Sequence, residues 1–138
     1  MQQSNEIREL TLALYRAMSS GDADAINRML SREPGLTTIG TDPKEWWTGY
    51  ETTAQVFAAQ MREAGGAFPI AGGDPQAWSE GTVGWAADRA AFAFPGSTPI
   101  PFRLTTVWRR ERGEWKLVQF HSSIGIANEE TVGKELTV

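Results

Sequence analysis

Two hydrophobic periods divide the chain. From Asn5 to Ser19 apolar side chains recur at Ile7, Leu10, Leu14 and Met18, with Ala13 and Ala17 beside them, at the spacing of a helix with one buried face. Ser4 is placed to cap its first turn and Gly21 to end its last. Asp22 opens a shorter second helix with Ala25, Ile26, Met29 and Leu30 as its apolar stripe, which Pro34 and Gly35 stop. Leu36 to Gly40 predicts a short strand. Thr41-Asp42-Pro43 predicts a loop, since the residue before proline is biased away from helix and Asp favours turns. A third helix, Tyr50 to Ala64, carries Tyr50, Ala54, Phe57, Ala58 and Met61 on one face and ends at Gly65-Gly66.

Beyond Gly72-Gly73-Asp74-Pro75 the period shortens to two. Gln76 to Glu80, Thr82 to Asp88 and Ala90 to Phe94 read as strand pieces, with a turn at Gly81 and an irregularity near Asp88-Arg89. Pro95 through Pro101 is too rich in proline for a central strand. From Phe102 to Ile126 runs a long antiparallel hairpin, whose polar segment Glu111-Arg112-Gly113 suits a three-residue loop with glycine in the left-handed position. That loop pairs Arg110 with Glu114. Alternation then puts Leu104, Thr106, Trp108, Val118, Phe120, Ser122 and Ile124 on a core face. Arg103, Thr105, Val107, Arg109, Trp115, Leu117, Gln119, His121 and Ser123 fall on the other. A two-residue turn would pair the two sets differently. The tail from Asn128 to Val138 is polar.

Three helices followed by antiparallel strands predict an α+β fold, helices packed on one face of a curved sheet. At 138 residues, the chain is expected to form a single domain over 1–138. Six tryptophans and a 41% apolar share support a packed core, and the absence of cysteine excludes disulfides and thiolate metal sites. A net charge of −4 argues against nucleic acid, because the one arginine cluster, Arg109, Arg110 and Arg112, is interleaved with Glu111 and Glu114. Neither a signal-peptide pattern at the N-terminus nor an apolar run of about 20 residues is present, so the expectation is a cytoplasmic protein without a membrane partner.

The strings YRAMSSGDADAINRML, IGTDPKEWWTGYETTAQVF and VWRRERGEWKLVQFHSS, in this order and spacing, resemble the nuclear transport factor 2-like superfamily, in particular its SnoaL-like members. The last string is also similar to the association domain of calcium/calmodulin-dependent protein kinases. The resemblance covers nearly the whole chain. It implies a cone-shaped domain in which a bent sheet wraps the first helix and leaves a pocket at the wide end. It also implies a homodimer formed through the sheet's outer face. It implies no particular reaction, since members include isomerases, cyclases, dehydratases and plain binding or oligomerisation domains.

Asp42 is the catalytic candidate, because Asp42-Pro43 lies where steroid isomerases of this superfamily carry an Asp-Pro whose aspartate moves a proton, as a partly buried carboxylate can. Two other positions depart from those isomerases. Thr106 stands where an aspartic acid would donate to the enolate, and the first-helix tyrosine falls near Leu14, with Tyr15 one residue away. Thr106 and Ser122 also stand where the kinase domain suggests arginines. The expected pocket is lined by Tyr15, Trp47, Phe57, Thr106, Trp108, Phe120 and Ser122, and suits an apolar or weakly polar small molecule held by one or two hydrogen bonds. Of the Trp46-Trp47 pair, one ring is expected at the pocket entrance. His121, the only histidine, falls on the outer face, and without cysteine or a second histidine no metal site and no cofactor are expected. Ser122-Ser123 beside His121 does not make a hydrolase, since neighbouring strand residues point to opposite faces and no nucleophile elbow is present. Three functions stay open: a ligand binder, a cofactor-free isomerase, cyclase or dehydratase with Asp42 as base, and an oligomerisation module without catalysis.

Overall fold

Ser4 and Gly21 bracket the first helix for separate physical reasons. In the computed structural model, which describes residues 1–138, α1 spans Asn5–Ser20, and the Ser4 hydroxyl accepts the Ile7 N–H at 3.2 Å. Gly21 takes φ 69°, the left-handed conformation that lets its N–H return to the carbonyls of the last turn. Asp22 caps α2 (Ala23–Met29) by accepting the Ala25 N–H at 2.9 Å. The chain then runs beside the later strand β8 (Glu114–Ser123), with the Ser31 N–H donating to the Leu117 carbonyl at 3.0 Å, into β2 (Thr37–Ile39). A tight turn returns it as β3 (Trp46–Thr48), a strand that the sequence pattern does not show, and Gly49 leads into α3 (Tyr50–Glu63).

A single sheet follows the strand order β1-β5-β6-β7-β8-β2-β3, where β1 is Gln2–Gln3, β5 Gln76–Glu80, β6 Val83–Phe92, β7 Ile100–Glu111 and β8 Glu114–Ser123. The two-residue β4 (Ile70–Ala71) pairs with the far end of β6. All pairings are antiparallel except β2 with β8, so the sheet is mixed rather than wholly antiparallel. A short helix α4 (Asn128–Val132) closes the chain, with Ile126, Val132 and Leu136 exposed around it. No helix is long and apolar enough to cross a membrane.

Four details differ from the sequence reading. The hairpin turn is the two residues Arg112 and Gly113, both at positive φ, so Glu111 rather than Arg110 pairs with Glu114. A bulge between Val107 and Trp108 then inserts Val118 as an extra residue, shifting the register by one more position. The two offsets restore the expected parity beyond the bulge, and Leu104, Thr106, Phe120 and Ser122 all face the core. Between the turn and the bulge the parity is reversed: Leu117 pairs with Trp108 and is buried in place of Val118. Third, β6 runs through Asp88-Arg89 without a break. What changes there is the partner on its other edge, β5 up to Ala87 and β4 from Ala91. Fourth, β7 begins at Ile100 and includes Pro101, which is tolerated because β8 ends opposite Arg103 and leaves that side of Pro101 unpaired.

The helix α1 lies on the inner face of the sheet. Ile7 packs against Gly84 so closely that a methyl group there would stand 2.5 Å from Ile7 Cδ1. Leu14, Met18, Ile26, Leu30, Leu36, Leu104, Trp108 and Leu117 form the buried centre. Across α1 and β7 runs a directed chain of hydrogen bonds: Trp108 Nε1–H to Thr106 Oγ1 at 3.0 Å, Thr106 to Thr11 Oγ1 at 3.3 Å, and Thr11 to the Ile7 carbonyl at 3.0 Å. Since the Thr11 hydroxyl gives its hydrogen to Ile7, the Thr106 hydroxyl is the donor to Thr11.

Candidate functional site

One end of the interior stays open. A cavity of about 240 Å³ lies where the last turn of α1, α3, the β2–β3 turn and the ends of β6, β7 and β8 meet. Its walls are mainly aromatic: Phe57 from α3, Phe68 after it, Phe92 and Phe94 from β6 and beyond, Phe120 from β8, and Trp47 from β3. Five of the six phenylalanines line it, and the sixth, Phe102, stacks on Phe92 at 4.3 Å between ring centres. Phe57 and Phe120 meet edge to face at 5.6 Å, and Phe68 stands against Phe92 and Phe94 at 6.2 and 6.1 Å. These are the favoured offset and edge geometries of ring pairs. Met18, Ile100 and Ile124 complete the apolar lining.

The polar wall comes from the β2–β3 turn. Gly40 N–H donates to the Glu45 carbonyl at 2.9 Å, and the Asp42 carboxylate accepts the Lys44 N–H at 2.8 Å, as expected of an Asp opening a turn. The Glu45 side chain folds back over this turn. Its Oε2 accepts the Asp42 N–H at 3.0 Å, and its Oε1 accepts Gln60 Nε2–H from α3 at 2.7 Å. It rests directly on Gly40, where any Cβ would collide with Oε2. Glu45, Gln60, Thr41 and the buried Ser122 are the polar side chains at the cavity wall, and Glu45 is the only ionisable one.

Of the residues singled out in the sequence, Trp47, Phe57, Phe120 and Ser122 line this cavity, while its neighbour Trp46 turns outward and is 66% exposed. Asp42, Tyr15, Thr106 and Trp108 are not part of its wall. Asp42 is exposed, with its carboxylate turned into its own loop. Thr106 and Trp108 sit deeper, occupied by the hydrogen-bond chain through Thr11 and covered by α1. Tyr15 reaches the other side of α1, where its hydroxyl donates to Asp88 Oδ2 at 2.8 Å. Burial first, and the Asp88 carboxylate second, push the Tyr15 phenol well above its ordinary value, so it stays protonated and keeps the hydrogen it donates to Asp88. Asp88 Oδ1 in turn accepts the N–H groups of Asp74 and Arg89 at 3.0 and 2.8 Å. His121 is exposed on the outer face. Glu45, Gln60, Phe68, Phe92 and Phe94 went unmarked in the sequence. The alternation Phe92, Phe94 is the signal for the last two, whereas Glu45 lies in the turn before the three-residue β3 and carries no periodic signal.

The SnoaL-like domain family model matches residues 7–127. The chain belongs to that family. Among curated proteins none matches it. Solved structures share the nuclear transport factor 2-like fold across nearly the whole SnoaL-like chain. A nuclear transport factor 2-like protein of unknown function from Pseudomonas putida is 18% identical, covers 98% of this chain and 96% of its own, and has a TM-score of 0.77. A provisionally assigned dehydratase of the same family from Streptomyces avermitilis is 17% identical over 88% of this chain and 95% of its own, with a TM-score of 0.73. A provisionally assigned calcium/calmodulin-dependent protein kinase type II association domain from Thiobacillus denitrificans is 20% identical over 89% and 96%, with a TM-score of 0.71. At these identities the likeness is one of fold.

Proposed function

We propose that this SnoaL-like protein binds a compact, apolar or weakly polar small molecule in the phenylalanine-lined cavity. The convergence of five phenylalanines and Trp47 from separate elements on one open space carries the reading, since a chain folding only for stability would fill that space. A cavity of about 240 Å³ is below the roughly 300–1,000 Å³ of sites for drug-sized ligands, which favours a single ring or short chain. The test is a thermal-shift titration with 2-phenylethanol. A ligand bound to the folded state alone stabilises it by about 2.7 kcal/mol at a hundredfold excess over Kd. Ile124→Trp, at the partly exposed rim, should fill the cavity and abolish the shift; equal shifts in both proteins would sink the reading.

A second reading is cofactor-free acid/base chemistry of the isomerisation, cyclisation or dehydration type. The observation that favours it is a carboxylate, Glu45, held by Gln60 at the wall of an apolar cavity, where a general base needs to be within hydrogen-bond reach of its substrate. In this reading Glu45 takes the role that the sequence suggests for Asp42. Glu45→Gln should abolish turnover of a substrate and Asp42→Asn should not; the reverse result would restore Asp42.

Self-association through the outer face of the sheet fits either function. Trp78, Trp85 and Val107 lie side by side there in one cross-strand row. Sedimentation should give a dimer for the native chain and a monomer for Trp85→Glu.

A further inference from the structure

The polar groups of the cavity differ in kind from its aromatic walls. Neither Lys, Arg nor His lines it, and the one ionisable side chain is the Glu45 carboxylate. A carboxylate is an acceptor only, with about four lone-pair sites on its two oxygens. Two are taken, by Gln60 Nε2–H and by the Asp42 N–H, which fix its orientation and leave acceptor capacity free. Gly40 keeps that position open, because any side chain there would displace the carboxylate. Trp47 and the phenylalanines present ring faces and edges to the same space, and ring faces attract cations. A ligand anion would meet this carboxylate with no compensating cation among the lining side chains, and like charges brought together in a partly dry site repel strongly.

The geometry points to a ligand that carries a hydrogen-bond donor, an organic amine on a compact apolar body, anchored through its nitrogen to Glu45 with the body against Phe57, Phe68 and Phe120. This rests on the cavity being a ligand site, as proposed above, and adds the chemical class. Glu45 is then the residue that sets specificity: it selects amines over carboxylates of the same size.

Three probes with the same phenyl body decide the matter: 2-phenylethylamine, 2-phenylethanol and 3-phenylpropanoate, titrated into the full chain by calorimetry at neutral pH and constant ionic strength. The expected order has the amine tightest, by about tenfold over the carboxylate. In Glu45→Gln the amine and the carboxylate should come within about twofold of each other, because the charge that separates them has gone. If 2-phenylethanol binds while the carboxylate equals or exceeds the amine, the amine assignment is overturned and the binding site survives. If the amine preference persists unchanged in Glu45→Gln, Glu45 is not its source and the assignment falls. If none of the three binds, the cavity reading and the assignment fall together. Should Glu45→Gln not fold, the ratio of amine to carboxylate in the native chain still decides.

Discussion

Thr106 and Thr11 lie 3.3 Å apart, hydroxyl to hydroxyl, in the fully covered contact between α1 and β7, and their bond joins the indole of Trp108 to the backbone of α1. The pair turns what the sequence marks as a ligand position into a structural one. Thr106→Val keeps the shape but leaves the Trp108 N–H without its acceptor. A buried donor left unpaired costs about 1–3 kcal/mol. Urea denaturation should show a loss of that size for Thr106→Val and a smaller one for Thr106→Ser, which keeps the hydroxyl.

Gly21 ends α1 at φ 69°, and a side chain there would run into the Gly66 carbonyl that follows α3. Gly96 has a similar φ of 75° with open space around it. Gly96→Ala should therefore cost only the conformational penalty, about 1 kcal/mol. Gly21→Ala should cost more, about 2–4 kcal/mol, because backbone must move. Paired thermal melts measure the difference.

Glu111 sits at the hairpin tip with its carboxylate accepting the Ser31 hydroxyl at 2.6 Å and Arg109 Nη2–H at 2.6 Å. Burial raises its pKa, but the Ser31 and Arg109 bonds outweigh that and hold it below the ordinary value. The folded form therefore binds the proton less tightly than the unfolded chain. That stability is present above about pH 4.3, the unfolded glutamate value, and is lost as pH falls through the folded one. Glu111→Gln should be less stable than the native chain at neutral pH and should flatten its decline on acidification, as followed by circular dichroism.

Tyr15 gives the opposite sign. Its raised pKa means the folded chain keeps the phenolic proton after the unfolded chain has released it near pH 10. Stability from this group is therefore complete below about pH 10 and declines as pH rises further. Tyr15→Phe should remove that decline, and absorbance titration of the native chain should show one phenol that resists ionisation.

Gly40→Ala tests the seat of Glu45. The added methyl group collides with the carboxylate, so the Gln60 bond should break and any preference among ligands that depends on Glu45 should go with it. Nuclear magnetic resonance of the Gln60 side-chain amide reports the bond directly: its shift should move towards that of a free amide.

The helices were readable because their causes are local. Ser4, Gly21 and Asp22 act within a few residues of themselves, and the stripe from Ile7 to Met18 needs only its own spacing to mark a buried face. The long hairpin is legible too, although its two-residue turn and its bulge together shift the register by two and so leave the parity unchanged beyond Val118, since alternation records parity but not where a residue is inserted. The strand β3 was hidden because Trp46-Trp47-Thr48 is too short to display a period. Asp88 looked like a break in β6, whereas it is an inward-facing partner for Tyr15, seventy-three residues away in sequence.

The sequence by itself determined the fold class, the family resemblance, the helix ends and the inward parity of Thr106, Phe120 and Ser122, all of which follow from neighbour-to-neighbour chemistry and periodicity. Only the tertiary structure decided which inward residues face solid core and which face open space. That depends on how α1 lies along the sheet: it covers Thr106 and Trp108, while Met18 in its last turn borders the cavity that Phe120 and Ser122 face. It also decided that Glu45, rather than Asp42, meets the cavity. Gly40 and Gln60 set that choice, and one of them lies on another element.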